Sequence, residues 1–222
     1  HIHVRKTYTF YSHFFIKNLF KKLPTQRAFI SLVLTYSKKL EDTKMFSNLR
    51  RVVTGNDKSG KSLIMFDGPP PASYEMGAGG LYELWDSTGD VLNSQEKVDR
   101  GMGKVVLGPQ SGGVKFRYFA IAPTPEGVAN AELNKMFAKV FEDINAAEDR
   151  VDVTRHPGMH KTKTLDYIIL LKGTAKLILD NDETDLKPFD VVVQRSTNHA
   201  WVCTSQDPAL FIAVLIASEV DI

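Results

Sequence analysis

The stretch "GMHKTKTLDYIILLKG", residues 158–173, places a few polar side chains at set intervals ahead of an apolar run. His160, Thr162 and Asp166 stand at the spacing His-x-His-x3-Glu of a metal-binding strand pair, with threonine for the second histidine and aspartate for the glutamate. On a strand of period two, Asp166 shares its face with Ile168 and Leu170, while Leu165, Tyr167 and Ile169 take the other. One of those faces is an interior. A histidine and an aspartate set in so apolar a region need a partner or a metal to offset their desolvation. Gly173 supplies the turn that follows.

Downstream, "TAKLILD", "DVVVQ", "HAWVC" and "ALFIAVLIAS" read as short strands, with "NDETD" a turn between the first two. His199 and Trp201 alternate onto one face of "HAWVC". Upstream, "LRRVVTG" and "KSLIMFDG" flank a polar turn and predict a hairpin. "GPPPASYEMGAGG" reads as a loop, followed by the strands "LYELWD" and "GVKFRYFAIAP". One helix is expected, over "NAELNKMFAKVFEDINAAED". There Leu133, Met136, Phe137, Val140, Phe141 and Ile144 recur at three and four residues, a stripe that packs on a core. Many short strands joined by tight turns predict a closed or two-sheet β barrel.

At this point the second half resembles a cupin, a jelly-roll barrel that holds a metal among inward-facing side chains. The family's first motif, G-x5-H-x-H-x(3,4)-E-x6-G, is met at His160 and Gly173, with Asp166 in the glutamate position and departures at Thr154 and Thr162. The second, G-x5-P-x-G-x2-H-x3-N, falls on "KPFDVVVQRSTNHAWVC". His199 matches, and Pro188, Gln194, Ser196 and Cys203 stand for Gly, Pro, Gly and Asn. The resemblance covers about residues 45–218 and is closest to a bacterial and fungal subgroup of single-domain cupins. It implies a mainly β, double-stranded β-helix (jelly-roll) barrel, with the helix inserted before the metal-motif strands.

The resemblance and the spacing together make His160, Asp166 and His199 the expected ligands of a divalent ion, Zn²⁺, Mn²⁺ or Fe²⁺. Two imidazoles and a carboxylate form a facial set that leaves coordination positions open for substrate. Thr162 is then a candidate contact to metal-bound water or substrate. Without metal, Asp166 accepts a hydrogen bond from a histidine and His199 is a satisfied core residue. Arg117 is a candidate for orienting a substrate carboxylate, set against a side chain that snorkels outward. Trp85 and Trp201 are candidate walls for an aromatic ligand. His156 lies in a loop outside the site, and Cys203 is read as a buried, unreactive thiol.

Three functions compete. The first is a metal-dependent enzyme that decarboxylates, dehydrates or isomerises a small carbonyl, enol or carboxylate compound. The second is an Fe(II)-dependent dioxygenase. The third is a barrel that binds a small molecule without chemistry. Metal identity together with oxygen uptake separates the first two, and absence of metal at purification favours the third.

The stretch "GNDKSGKS", Gly55–Ser62, satisfies G-x-x-x-x-G-K-[ST]. A phosphate site there requires a helix starting at the Gly-Lys. "SLIMFDGPPP" follows instead, β-like and closed by prolines, so a hairpin turn is expected and ATP is not a partner.

The 222 residues suffice for one sizeable domain. Residues 1–44 hold nine Lys/Arg and two acids, and the remainder holds nineteen against twenty-four. The globular part is therefore mildly acidic, which argues against a nucleic-acid partner. The basic, aromatic segment 1–44 is expected to lie outside the core domain 45–218, as a gene-model stretch or a mitochondrial-type presequence. No run of about eighteen apolar residues occurs, so no membrane partner is expected. A single cysteine rules out an internal disulfide. A cytoplasmic location is expected, with the mitochondrion the alternative if 1–44 is a presequence. The apolar "ALFIAVLIAS" strand predicts a homodimer.

Overall fold

The computed structural model describes residue 46, residues 48–90 and residues 93–218. The expectations for segment 1–44 lie outside the described residues. Among those described, eleven strands and one α-helix form. In chain order the strands are β1 Arg51–Asn56, β2 Ser62–Gly68, β3 Ala72–Met76, β4 Gly79–Ser87 and β5 Val114–Ile121. Then come α1 Asn130–Asp143 and a 3₁₀ turn at Ala147–Asp149. The remainder is β6 Thr164–Lys172, β7 Ala175–Leu179, β8 Glu183–Leu186, β9 Val191–Arg195, β10 His199–Cys203 and β11 Ala209–Ala217.

Six strands form one antiparallel sheet in the order β3-β4-β5-β11-β6-β9, and three form a second, β10-β7-β8. The inner faces meet in the core. Phe211 of β11 stacks on Phe119 of β5 at 4.5 Å, and Trp201 of β10 reaches across to both at 5.2 and 5.9 Å. Leu170, Phe211 and Ala213 are sealed there, with Ala175 and Leu177 opposite. Burying each Leu or Phe side chain of this kind contributes about 1.5–3 kcal/mol. The result is the expected jelly-roll barrel, with α1 inserted before β6.

Period-two alternation sets which side chains enter. On β6, Thr164, Asp166, Ile168 and Leu170 are buried while Tyr167 is exposed. On β5 the inward set is Lys115, Arg117 and Phe119, so the charged face is the interior one. Gly173 turns the chain from β6 into β7 at φ 78°, where an added Cβ would sit 2.7 Å from Ser205 Oγ.

Two local readings are corrected. Part of "GPPPASYEMGAGG" is strand β3, paired with β4 from Ala72↔Glu83 to Met76↔Gly79. Part of "NDETD" is strand β8, paired with β7. Both are edge strands whose backbone pairs on one side only, so their sequences carry little apolar signal. The hairpin at Gly55–Ser62 is present as β1–β2, with strand and no helix after Lys61.

Candidate functional site

A cavity of about 150 Å³ opens inside the barrel beneath α1. Its floor carries His160, Thr162, Asp166, His199 and Arg117; its roof is Phe137, Val140 and Phe141 of α1 with Ile144, the residue that caps the helix. The stripe predicted to pack on a core therefore does so only in part, since four of its members wall this cavity. The helix is tied down at its C-terminal end. Tyr74 donates to Asp143 Oδ2 at 3.0 Å, and the Leu107 amide donates to the Ile144 carbonyl at 2.9 Å.

His160 and His199 meet across the barrel wall. Their backbones exchange two hydrogen bonds of 2.9 Å, and their rings lie 4.3 Å apart. The chain before His199 is anchored by Asn198, whose amide donates to Asp180 Oδ1 and to the Asp152 carbonyl. His160 Nδ1 lies 2.9 Å from the Gly158 carbonyl, and His199 Nδ1 lies 2.9 Å from the Thr197 carbonyl. A carbonyl only accepts, so each Nδ1 carries the hydrogen. In the neutral ring each Nε2 then keeps its lone pair. Burial pushes His160 down to about 4, and burial plus the neighbouring His160 holds His199 well below its ordinary value.

Asp166 and Arg117 form the charged part of the floor. Asp166 is buried, and its Oδ1 has no hydrogen-bond partner in the protein. Desolvation raises its carboxyl to about 6 against the lowering effects of the Thr164 hydroxyl and Arg117. The Thr164 hydroxyl is itself 2.7 Å from that of Thr162, linking Thr162 to Asp166 through hydroxyls. Arg117 is 1% exposed. Its Nη2 donates to the Val106 carbonyl at 2.6 Å and lies 2.8 Å from Glu83 Oε1, an ion pair not aligned as a hydrogen bond. Its Nε and Nη1 are buried without partners. Burial raises Glu83 against the pull of Arg117 and Lys115. Lys115 is held by Asp86 Oδ2 at 2.6 Å.

Two facing sheets around a cavity with paired histidines at the motif positions are the arrangement that the sequence resemblance implies, and relatives of this chain carry the same family name. A cupin-domain-containing oxidoreductase of Aspergillus ruber is 38% identical over 45 residues, 20% of this chain and 22% of that protein. The barrel has the cupin fold. A phomopsin biosynthesis cluster protein of Diaporthe leptostromiformis is 50% identical over 44 residues, 19% of this chain and 23% of its own length. The chain thus matches under a quarter of either relative. A solved RmlC-like cupin with a double-stranded β-helix fold from Methanocaldococcus jannaschii aligns at 12% identity and a TM-score of 0.30, covering 47% of this chain and 70% of that one. No family model matches the chain.

The cupin cavity gathers His160, Thr162, Asp166, His199, Arg117 and Trp201, the last edge-on to His199 at 5.6 Å. Trp85 does not join them. A register shift between Glu83 and Trp85 puts Trp85 opposite Phe116, on the outer face, where it lines a separate cleft with Met65 and Phe66. One extra residue in a strand turns every later side chain over. Cys203 is buried, its thiol against the carbonyls of Ser205 and Asp207. His156 stands outside the cavity, its Nδ1 accepting from the Gly158 amide at 3.0 Å. Glu83 was not singled out in the sequence, where it reads as one polar residue in an alternating strand. Ser196 occupies a glycine position of the second motif and keeps a left-handed φ of 50°. Its hydroxyl donates to the Thr162 carbonyl at 2.7 Å, which offsets the strain.

Among the described residues, no three His, Cys, Asp or Glu side chains converge closely enough to hold a metal ion. The two imidazoles fit a metal as a pair, through Nε2. Asp166 lies in the same cavity but does not complete a three-ligand group with them.

Proposed function

We propose that the cupin cavity binds a small carbonyl compound and moves a proton on the carbon beside the carbonyl. The observation that carries this reading is that one cavity is lined by both Asp166, whose buried Oδ1 has no partner, and Arg117, whose buried Nε and Nη1 have none. Arg117 donates to the carbonyl oxygen, and Asp166 accepts the α-proton. The C–H electron pair becomes a C=C bond, and the carbonyl π pair moves onto the oxygen beside the guanidinium. Charge developing there is stabilised most in a dry, preorganised site. In a substrate with a C=C bond already next to the α-carbon, the enolate extends over it, and return of the proton from Asp166 to its far carbon gives an isomer. If a hydroxyl stands on the β-carbon instead, the C–O bond breaks as the α,β C=C forms, and the hydroxyl leaves as water with the proton held by Asp166, which gives dehydration. A carboxyl raised to about 6 is ionised at neutral pH yet basic enough for the task. The His160 and His199 Nε2 atoms accept from a hydroxyl of the substrate.

One observation favours a second reading, a metal-assisted oxidoreductase. Both imidazoles present Nε2 with Nδ1 fixed on a backbone carbonyl, the orientation metal ligands take. The relative in Aspergillus ruber also bears the name oxidoreductase.

Exchange of α-hydrogens of 2-pentanone in D₂O separates the two. The first reading predicts exchange by chelator-dialysed protein, lost at least a hundredfold in Asp166→Asn and Arg117→Lys. Exchange that requires added Fe²⁺, Mn²⁺ or Zn²⁺, and that fails in His199→Ala while surviving Asp166→Asn, supports the second reading. No exchange under either condition removes the first.

A further inference from the structure

We propose that the cavity selects uncharged carbonyl compounds of about six non-hydrogen atoms, the occupancy of a 150 Å³ cavity, and that Phe141 sets this limit. The inference rests on the carbonyl reading above and narrows its substrate class.

The exclusion of anions follows from the buried charges. Glu83 and Asp166 already share the field of Arg117, while Lys115 is taken up by Asp86 at 2.6 Å and Glu83 at 4.0 Å. Both imidazoles expose lone pairs to the same space and donate their hydrogens elsewhere. A carboxylate entering here adds a third negative group around one guanidinium, in a cavity lined mainly by apolar side chains. Such burial is costly unless the charge is separately paired. A ketone oxygen takes the free N–H groups of Arg117 and adds no charge. Of the lyase-type reactions considered, isomerisation and dehydration remain, and decarboxylation of a free carboxylate does not.

The size limit follows from α1. Most of the wall is strand, held in register by ladder hydrogen bonds, and cannot retreat. The roof is a single helix whose inward rings reach the polar floor. Phe141 is 5% exposed and packs its ring 4.9 Å from that of His160. Arg150 covers its other side, with the guanidinium 5.9 Å from the ring centre and Nη2 bonded to the Pro157 carbonyl at 3.0 Å. Phe141 is thus clamped between a floor histidine and a loop arginine. A ligand that extends from the floor histidines towards α1 meets this ring.

Binding of 2-pentanone, its carboxylate isostere butanoate, and 2-octanone is followed by the amide NMR shifts of Ala213 and Ile168, whose side chains line the cavity. At pH 7.5 the wild type is expected to bind 2-pentanone at least tenfold more tightly than butanoate and to show no shifts with 2-octanone. Phe141→Ala, and Phe141→Leu as the gentler change, are expected to bind 2-octanone at least tenfold more tightly than wild type. Butanoate binding as tightly as 2-pentanone overturns the charge selection. Equal 2-octanone binding in wild type and both variants overturns the role of Phe141. If none of the three shifts either amide in any folded variant, the carbonyl reading falls with the inference.

Discussion

Arg117 is the side chain on which the polar floor turns. It is buried with one nitrogen engaged and two without partners, and it offsets the charge of Glu83. Arg117→Leu leaves that buried carboxylate with Lys115 alone, its Nζ 4.0 Å away, so a loss of about 3 kcal/mol in urea unfolding is expected. The double variant Arg117→Leu/Glu83→Leu is expected to recover most of it, because a buried ion pair replaced by apolar groups of similar volume is often neutral. The histidines give stability a pH dependence of defined sign. Folded His160 sits at about 4 against 6.5 unfolded, so between these values the unfolded chain binds more protons. Stability is therefore full above about 6.5 and falls as pH drops towards 4, by roughly 3 kcal/mol from His160 alone. Asp166, raised to about 6, acts in the opposite direction, as the folded state holds the extra proton between 3.8 and 6. Glu83 and Asp149, also raised by burial, act with Asp166, while His199, held well below its ordinary value, and the lowered His156 act with His160 and outweigh them. A chemical-denaturation series from pH 8 to 4.5 is expected to show stability declining with acid. That His160, Asp166 and His199 share one cavity was legible from the motif spacing and the resemblance, because polar residues at fixed intervals beside an apolar strand are rare. Glu83 was not, since an acid in "LYELWD" looks the same whether it faces water or an arginine.

At the scale of elements, β5 shows why alternation leaves the inner face open. Phe116, Tyr118, Ala120 and Lys115, Arg117, Phe119 are both credible inward sets, and the interior took the charged one because Glu83 and Asp86 of β4 stand opposite. The shift between Glu83 and Trp85 had no sequence signal, and it carried Trp85 out of the cavity. α1 was legible as a helix from its stripe. Its end at Asp143, with Asn145 at φ 55°, depends on contacts from β3 and the 107 loop that no local pattern announces. Tyr74→Phe removes the hydroxyl that holds Asp143, and about 1 kcal/mol is the expected loss. Amide hydrogen exchange across residues 130–143 should accelerate in that variant more than exchange in β11.

At the scale of the whole molecule, the outer face of the larger sheet is apolar across four strands. Phe116, Val214, Tyr167 and Val193 line up in one row, and Tyr118, Ile212, Ile169 and Val191 in the next. Tyr167 is 46% exposed, Val193 53% and Val191 62%. A two-fold pairing of copies needs a self-complementary surface, and these rows carry no charge to repel their own image. We propose that the homodimer expected from β11 pairs through this face. Sedimentation should give twice the 24.8 kDa chain mass, and Tyr167→Lys/Val193→Lys should give the single chain without loss of the cavity. A monomeric wild type at high concentration contradicts the pairing. The barrel itself was legible because many short apolar runs between turns have few other solutions. This face was not, since one strand's outward residues reveal nothing of their neighbours before the strand order is known.

The most direct test of proton transfer by Asp166 is the pH dependence of α-hydrogen exchange on 2-pentanone by chelator-dialysed protein. A carboxylate must be ionised to accept the proton, so the rate constant kcat/KM is expected to rise with pH and level off, with a midpoint near 6. Asp166→Asn should abolish both the rate and the midpoint. A flat profile, a midpoint at the ordinary 3.8 of an exposed aspartate, or an unchanged curve in Asp166→Asn contradicts the assignment.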